Sequence, residues 1–201
     1  MFIQVIEGRT DDPEALRMRD EIWHRDLQPG AVGYLGSTGG VTTNGDVIIV
    51  VRFESEEAAQ ANAARPEQSE WWAETEKCFD GPVRFHDTTD VQQMRHGGAD
   101  DAGFVQVMEG HVTDREQARQ LEDQSDEVLA DVRPDLIGTT TAFFPDDTFT
   151  EVAYFTSEQE ARAGESAEIP PDVAERFAQW EGVMKVDRYL DLSDPWMASA
   201  T

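Results

Sequence analysis

Lysine is almost missing from this chain of 201 residues: only Lys77 and Lys185 occur, and arginine supplies the rest of the 16 basic residues. Against them stand 42 acidic residues, for a formal charge of −26. A surface so poor in cations repels phosphate backbones and anionic lipid, so neither nucleic acid nor membrane is expected as a partner. A solvated acidic shell explains the excess, and adaptation to high salt is the alternative. Cysteine occurs once, at Cys78, so no internal disulfide forms, and a small core residue beside Phe79 is the plain reading. No run approaches the roughly 20 apolar residues of a membrane span. Met1 leads straight into a strand-like run without the basic stretch that opens a signal peptide, so a cytoplasmic location is expected. His24, His86, His96 and His111 have no His or Cys close by in sequence, and no metal site is expected. There is no phosphate-binding glycine loop, nicotinamide fingerprint or nucleophile–histidine–acid set. Gly36-Ser37-Thr38-Gly39-Gly40 falls within a hairpin and reads as a turn.

What is present is a repeat. Phe2-Ile3-Gln4-Val5-Ile6-Glu7-Gly8 returns as Phe104-Val105-Gln106-Val107-Met108-Glu109-Gly110, a shift of 102 residues. The same shift carries Phe53-Glu54-Ser55-Glu56 onto Phe155-Thr156-Ser157-Glu158. Two distant matches at one shift indicate a duplicated unit of about a hundred residues. The division expected is a first repeat over 1–91, a linker over 92–102 around His96-Gly97-Gly98, and a second repeat over 103–201.

Each repeat reads as strand, helix, two strands, helix, strand. Residues 2–8 alternate and are rich in β-formers. Asp11-Asp12-Pro13-Glu14 starts a helix that runs to about Leu27 and stops at Pro29-Gly30. Residues 31–37 and 46–53 form strands around a turn that ends in Asn44-Gly45. Ser55-Glu56-Glu57 caps a second helix, which Pro66 breaks before it restarts through Trp71-Trp72, and Val83-Arg84-Phe85-His86 is the last strand. In the second half, strands fall near 103–110, 136–143, 148–155 and 185–190, with helices near 114–131, 157–164 and 171–182. This βαββαβ order is the ferredoxin-like pattern, α+β in class, with both helices on one face of an antiparallel sheet. The third strand is apolar on both sides, with Val47, Ile49, Val51 and Phe53 against Ile48 and Val50, so both faces are covered. Two such units packed sheet to sheet within one chain satisfy this, giving a monomer with an internal pseudo-dimer; a higher oligomer is compatible.

The element order, the duplication and the passage Arg52-Phe53-Glu54-Ser55-Glu56-Glu57-Ala58 resemble the dimeric α+β barrel superfamily. The nearest likeness is to its antibiotic-biosynthesis-monooxygenase-like branch, as a fused tandem. That resemblance implies a pocket between helix and sheet for a small apolar or aromatic ligand. It also implies either a cofactor-independent oxygenase or a non-catalytic binding protein or scaffold. The haem-degrading members need an Asn on the first strand, a Trp in the second helix and a His about ten residues later. Counted from Ser55, those places hold Ile3 or Gln4, Asn62, and Trp71 or Trp72, and the Trp place of the second half is Gly164. No haem, and no other cofactor, is therefore expected.

On the first helix Met18, Ile22, Ala15, Trp23, Leu16 and Leu27 form an apolar stripe, with His24 on the opposite, wet side. Arg19 and Asp26 interrupt the stripe. An Arg in an apolar face needs a partner, such as Asp26, or a cavity. With one residue inserted after Gly110, the counterpart stripe holds Leu121, Ala118, Ser125 and Leu129, with Glu122 in the place of Arg19. The first half is thus expected to carry the better pocket for a deprotonated aromatic ligand. Trp23, Trp71, Trp72 and Ile22 would line it, Arg19 or Arg52 would be the stabilising cation, and Glu7 or His86 the base.

Overall fold

The computed structural model describes residues 1–95, 97–98 and 100–200, and their side chains other than those of Ser125, Glu127 and Asp172. His96 lies outside the described residues. The elements are β1 (Phe2–Arg9), α1 (Pro13–Ile22), β2 (Tyr34–Val41), β3 (Asp46–Phe53), α2 (Glu56–Ala63), α3 (Pro66–Thr75), β4 (Arg84–Thr88) and β5 (Val91–Met94). They continue as β6 (Phe104–Val112), α4 (Arg115–Val132), β7 (Leu136–Phe143), β8 (Thr148–Phe155), α5 (Glu158–Glu165), α6 (Pro171–Val183), β9 (Met184–Leu192) and β10 (Trp196–Ser199). The chain forms two compact units, one of residues 1–89 with 194–201, the other of 90–193. Each carries one antiparallel five-stranded sheet, ordered β10-β2-β3-β1-β4 and β5-β7-β8-β6-β9.

Four strands of each sheet, β2-β3-β1-β4 and β7-β8-β6-β9, are those expected from the repeat. The fifth strand is not. Residues expected to open a linker form β5 and pair with β7, from Val91↔Ala142 to Met94↔Thr139. The C-terminal residues form β10 and pair with β2, from Trp196↔Gly39 to Ser199↔Gly36. Each short strand covers an edge that would otherwise present unpaired backbone groups. The glycine-rich stretch expected to be a turn therefore lies inside β2. A side chain at Gly36 would meet the guanidinium of Arg52 and the Ala198 carbonyl at 2.5 and 2.7 Å, so glycine there admits the neighbouring strand rather than making a turn. The turn itself is Asn44-Gly45, where Gly45 has φ +82°.

The helix starts repeat in detail. Asp12 accepts from the Ala15 N–H at 3.0 Å and Asp114 from that of Gln117 at 2.9 Å. Ser55 and Ser157 accept from the N–H groups of Ala58 and Glu160, both at 3.2 Å. Both cap pairs are 102 residues apart. The insertion expected after Gly110 is thus not expressed at the helix start, and the counterpart of Glu122 is Asp20, not Arg19. Leu16 and Ala118, equivalent on this count, are both buried.

In the first unit Phe2, Trp23, Leu27, Tyr34 and Phe53 pack together between sheet and helices. In the second, Val112, Ala118, Phe143, Phe149 and Met184 form one core cluster, and Phe104, Leu136, Ala153 and Phe155 another. The opposite face of β3 is buried as well, with Ile48 and Val50 only 1% and 2% exposed.

Candidate functional site

The first unit holds a cavity of about 430 Å³ between helices and sheet. Its walls include Trp23, Trp71, Trp72, Phe53, Phe85 and Tyr34. Gln4 and Ile6 from β1, Ile49 and Val51 from β3, and Phe85 from β4 fix which sheet face this is. A departure in α1 shapes the polar corner. Where a regular helix to Leu27 is expected, Trp23–Leu27 forms a π turn, and the Gln28 N–H reaches back five residues to the Trp23 carbonyl. The wider turn rotates the side chains that follow. His24, expected on the wet side, is instead largely buried, with its ring 5.2 Å from Trp23 and 6.3 Å from Tyr34.

His24 then joins a polar chain. The Tyr34 hydroxyl donates to Ser37 Oγ at 2.8 Å. Ser37 Oγ lies 3.4 Å from His24 Nε2, and an Asp20 carboxylate oxygen lies 3.5 Å from the same nitrogen. On the other side of the ring, Nδ1 is 2.8 Å from Gln28 Oε1, while Gln28 Nε2 donates to the Ser199 carbonyl at 3.4 Å. The second contact orients the Gln28 amide with its oxygen toward Nδ1, which leaves Nε2 facing Ser37 and Asp20. Asp20, Tyr34 and Ser37 line the cavity. A proton arriving at Ser37 thus has a route to an imidazole that already has a carboxylate beside it.

The expected site residues divide three ways. Trp23, Trp71 and Trp72 line the cavity, and Ile22 does not. Arg19 is turned toward α3, donating to Thr75 Oγ1 at 3.2 Å and to the Trp71 carbonyl at 3.1 Å, with its guanidinium 5.9 Å from the Trp71 ring centre. Trp71 returns a bond from Nε1 to the Arg19 carbonyl at 2.9 Å. Asp26, the partner expected for Arg19, pairs with Arg25 instead. Glu7, Arg52 and His86 sit one position out of phase with the cavity residues, so they lie on the other sheet face. Glu7 accepts from Arg84 at 2.7 Å, and His86 is 4.0 Å away. The same cross-strand pair recurs as Glu109 with Arg188, also at 2.7 Å, which marks it as part of the repeated sheet. The fold therefore does not bring the expected base together with the aromatic walls. Met18, expected in the stripe, is 55% exposed. Cys78 is half-buried rather than a core residue.

The second unit holds a larger cavity, of about 750 Å³. Strand register sets Thr141, Glu151, Met108 and Tyr189 in one row, of which the last three line the cavity. Glu122 comes down from α4, and its Oε1 accepts from Thr141 Oγ1 at 3.3 Å. Glu122 and Glu151 are each 7% exposed, and one oxygen of each has no hydrogen-bond partner among the described residues. Burial pushes Glu122 up to about 7, against the Thr141 hydrogen bond and Arg119 and with some help from Asp123. Glu151 rises well above the usual carboxylate range, through burial first and the charge of Glu122 second. The pair therefore retains a proton at neutral pH.

Comparison with known proteins locates this architecture. No family model matches the chain, and no curated protein matches it by sequence. Solved structures do match. A candidate monooxygenase from Lactobacillus acidophilus superposes with a TM-score of 0.74 at 14% identity, covering 98% of this chain and 96% of that one. A second, from Fusobacterium nucleatum subsp. nucleatum, gives 0.75 at 10% identity over 98% and 94%. An anthrone oxidase-like protein gives 0.63 at 10% identity over 99% and 94%. The fold is the monooxygenase-like dimeric α+β barrel fold in its fused tandem form.

Within that α+β barrel fold the two repeats have kept the same frame and changed what fills it. Gln4 donates to Asp87 and Gln106 to Asp191, both at 2.9 Å, so this sheet pair is common to both. Glu151, by contrast, stands where the first repeat has Ile49. A lone carboxylate in the run Phe149-Thr150-Glu151-Val152-Ala153-Tyr154-Phe155 is the sequence signal that points to it. The π turn that brings in His24 has no comparable signal. At the places tied to haem degradation, Asn62 is buried and accepts from Arg65 at 2.8 Å. Among the described residues no group of three His, Cys, Asp or Glu is arranged to hold a metal ion. No helix among them is long and apolar enough to cross a membrane.

Proposed function

We propose that this protein is a cofactor-independent, monooxygenase-like enzyme that oxidises an apolar, aromatic small molecule in the cavity of its first unit. The observation that carries the reading is the chain Tyr34–Ser37–His24–Asp20 at the edge of an aromatic-walled cavity. In such chemistry the deprotonated substrate is itself the reductant of oxygen, and the protein supplies shape and a base. Trp23, Trp71 and Trp72 take the flat faces of the substrate. His24 receives the substrate proton through the Ser37 hydroxyl, and Asp20 stabilises the imidazolium. Tyr34, donating to Ser37, holds that hydroxyl in line.

Anthrone, suggested by the anthrone oxidase-like neighbour, is a suitable probe. Loss of a proton from its methylene gives the enolate, and oxygen takes up the electrons to give a peroxide. Loss of water then leaves a carbonyl where the methylene was. One oxygen molecule is consumed and one water released per ketone formed. Tryptophan fluorescence reports binding independently of turnover. His24→Gln should bind anthrone as wild type does and turn over roughly 10²-fold or more slowly, in the range of a lost general base. Binding without turnover in wild type would favour the alternative, a non-catalytic small-molecule-binding protein.

A further inference from the structure

We propose that the second unit holds a separate binding site for an organic ammonium ion carried on an apolar or aromatic body, recognised by Glu122 and Glu151. This site does not depend on the reading given to the first unit.

The cavity has the size for a small organic molecule at about 750 Å³. Its apolar walls include Met108, Leu129, Phe155, Phe177 and Trp180. The charged groups in those walls decide the sign of the ligand. Three arginines line the cavity, and each is already engaged. Arg133 pairs with Asp135 at 2.7 Å. Arg162 pairs with Glu165 at 3.0 Å and also with Asp191. Arg176 donates to the Gln124 carbonyl at 2.9 Å. Glu122 and Glu151 are in the opposite condition. Both are more than nine-tenths buried, both face the cavity, and each keeps an oxygen without a hydrogen-bond partner among the described residues.

Carboxylate oxygens of this kind are costly to bury unless something donates to them. The fold does not require them. The first repeat makes the same strand with Ile49 in the place of Glu151, and seats its own helix acid, Asp20, beside His24. An ammonium group carries up to three N–H donors for these oxygens, and its charge answers the negative charge of a pair that shares one proton. Trp180 and Phe177 add aromatic faces, which attract a cation. The field of a chain with a formal charge of −26 draws cations to the mouth. An anionic ligand would meet Glu122 and Glu151, with Glu165, Glu181 and Asp191 also in the walls, and no disengaged arginine.

The test uses three probes of one shape: 2-(2-naphthyl)ethylamine, 2-(2-naphthyl)ethanol and 2-naphthylacetic acid. Each is titrated calorimetrically into the full chain at neutral pH and low salt. The amine is expected to bind at least ~10-fold more tightly than the alcohol, and the acid not measurably, as loss of charge-assisted bonds implies. Glu151→Ile, which installs the first repeat's own residue, should abolish the preference for the amine. Glu122→Gln should reduce it. Ser37→Ala, in the first unit, should leave amine affinity unchanged. Thermal melts confirm that each variant is folded. An alcohol bound as tightly as the amine would overturn the proposal. So would an amine preference that survives in folded Glu122→Gln/Glu151→Ile, or no amine binding at all.

Discussion

At the scale of single residues, Arg19 and Trp71 tie α1 to α3 by hydrogen bonds in both directions. Arg19 stands out in an apolar stripe, where a guanidinium needs a partner. Its partners are a threonine hydroxyl and a tryptophan carbonyl on α3 rather than a ligand. Such contacts depend on where a distant helix docks, which helical periodicity cannot report. Arg19→Ala should therefore cost about 1–2 kcal/mol of unfolding free energy, as lost charge-assisted hydrogen bonds do, and leave anthrone affinity unchanged. Urea denaturation and fluorescence titration of the same sample separate the two. Weakened binding at unchanged stability would return Arg19 to the site. Trp23, Trp71 and Trp72 were legible because large aromatic groups near a helix–sheet layer have few places to go. His24 was not, because a π turn changes the helical phase within five residues.

At the scale of elements, α4 and β8 press two carboxyl groups into one cavity, with a consequence for stability. An unfolded Glu122 ionises near 4.5 and the folded one near 7. Below 4.5 both states hold the proton, and burial of the neutral group carries no ionisation penalty. As pH rises, the unfolded state releases its proton first, so stability falls until the folded group also titrates and the loss is complete. Glu122→Gln removes this contribution. The stability of Glu122→Gln relative to wild type should thus increase between pH 4.5 and 7.5, by on the order of 2–3 kcal/mol. Denaturant titrations of both proteins at the two pH values measure it, and a difference that stays flat would show that Glu122 is not held neutral. The caps at Asp12, Ser55, Asp114 and Ser157 were readable in advance, since a short polar side chain before a helix has one dominant use. The two edge strands were not. Four-residue strands carry little periodicity, and pairing at a sheet edge is decided by which edge is open.

At the scale of the whole molecule, the duplication made the βαββαβ order of each unit legible, because two copies of one pattern restrain each other's reading. It did not show that the residues of β10, Trp196–Ser199, complete the first sheet. Removing them should uncover the edge of β2, lower the melting temperature and promote self-association, which calorimetry and gel filtration detect. A truncated chain that melts and elutes as the full one does would show that β10 contributes nothing. The duplication also left two cavities of different chemistry, one aromatic with a polar corner of Asp20, Tyr34 and Ser37, the other larger with a buried acid pair. In the proposed function the first of these oxidises its ligand with oxygen and no cofactor. The most direct measurement is oxygen uptake on mixing chelator-treated protein with anthrone, alongside the yield of ketone. Uptake is expected well above the spontaneous rate, at one oxygen per ketone, and sharply reduced in His24→Gln. Uptake no faster than in buffer, or equally fast in folded His24→Gln, would contradict it.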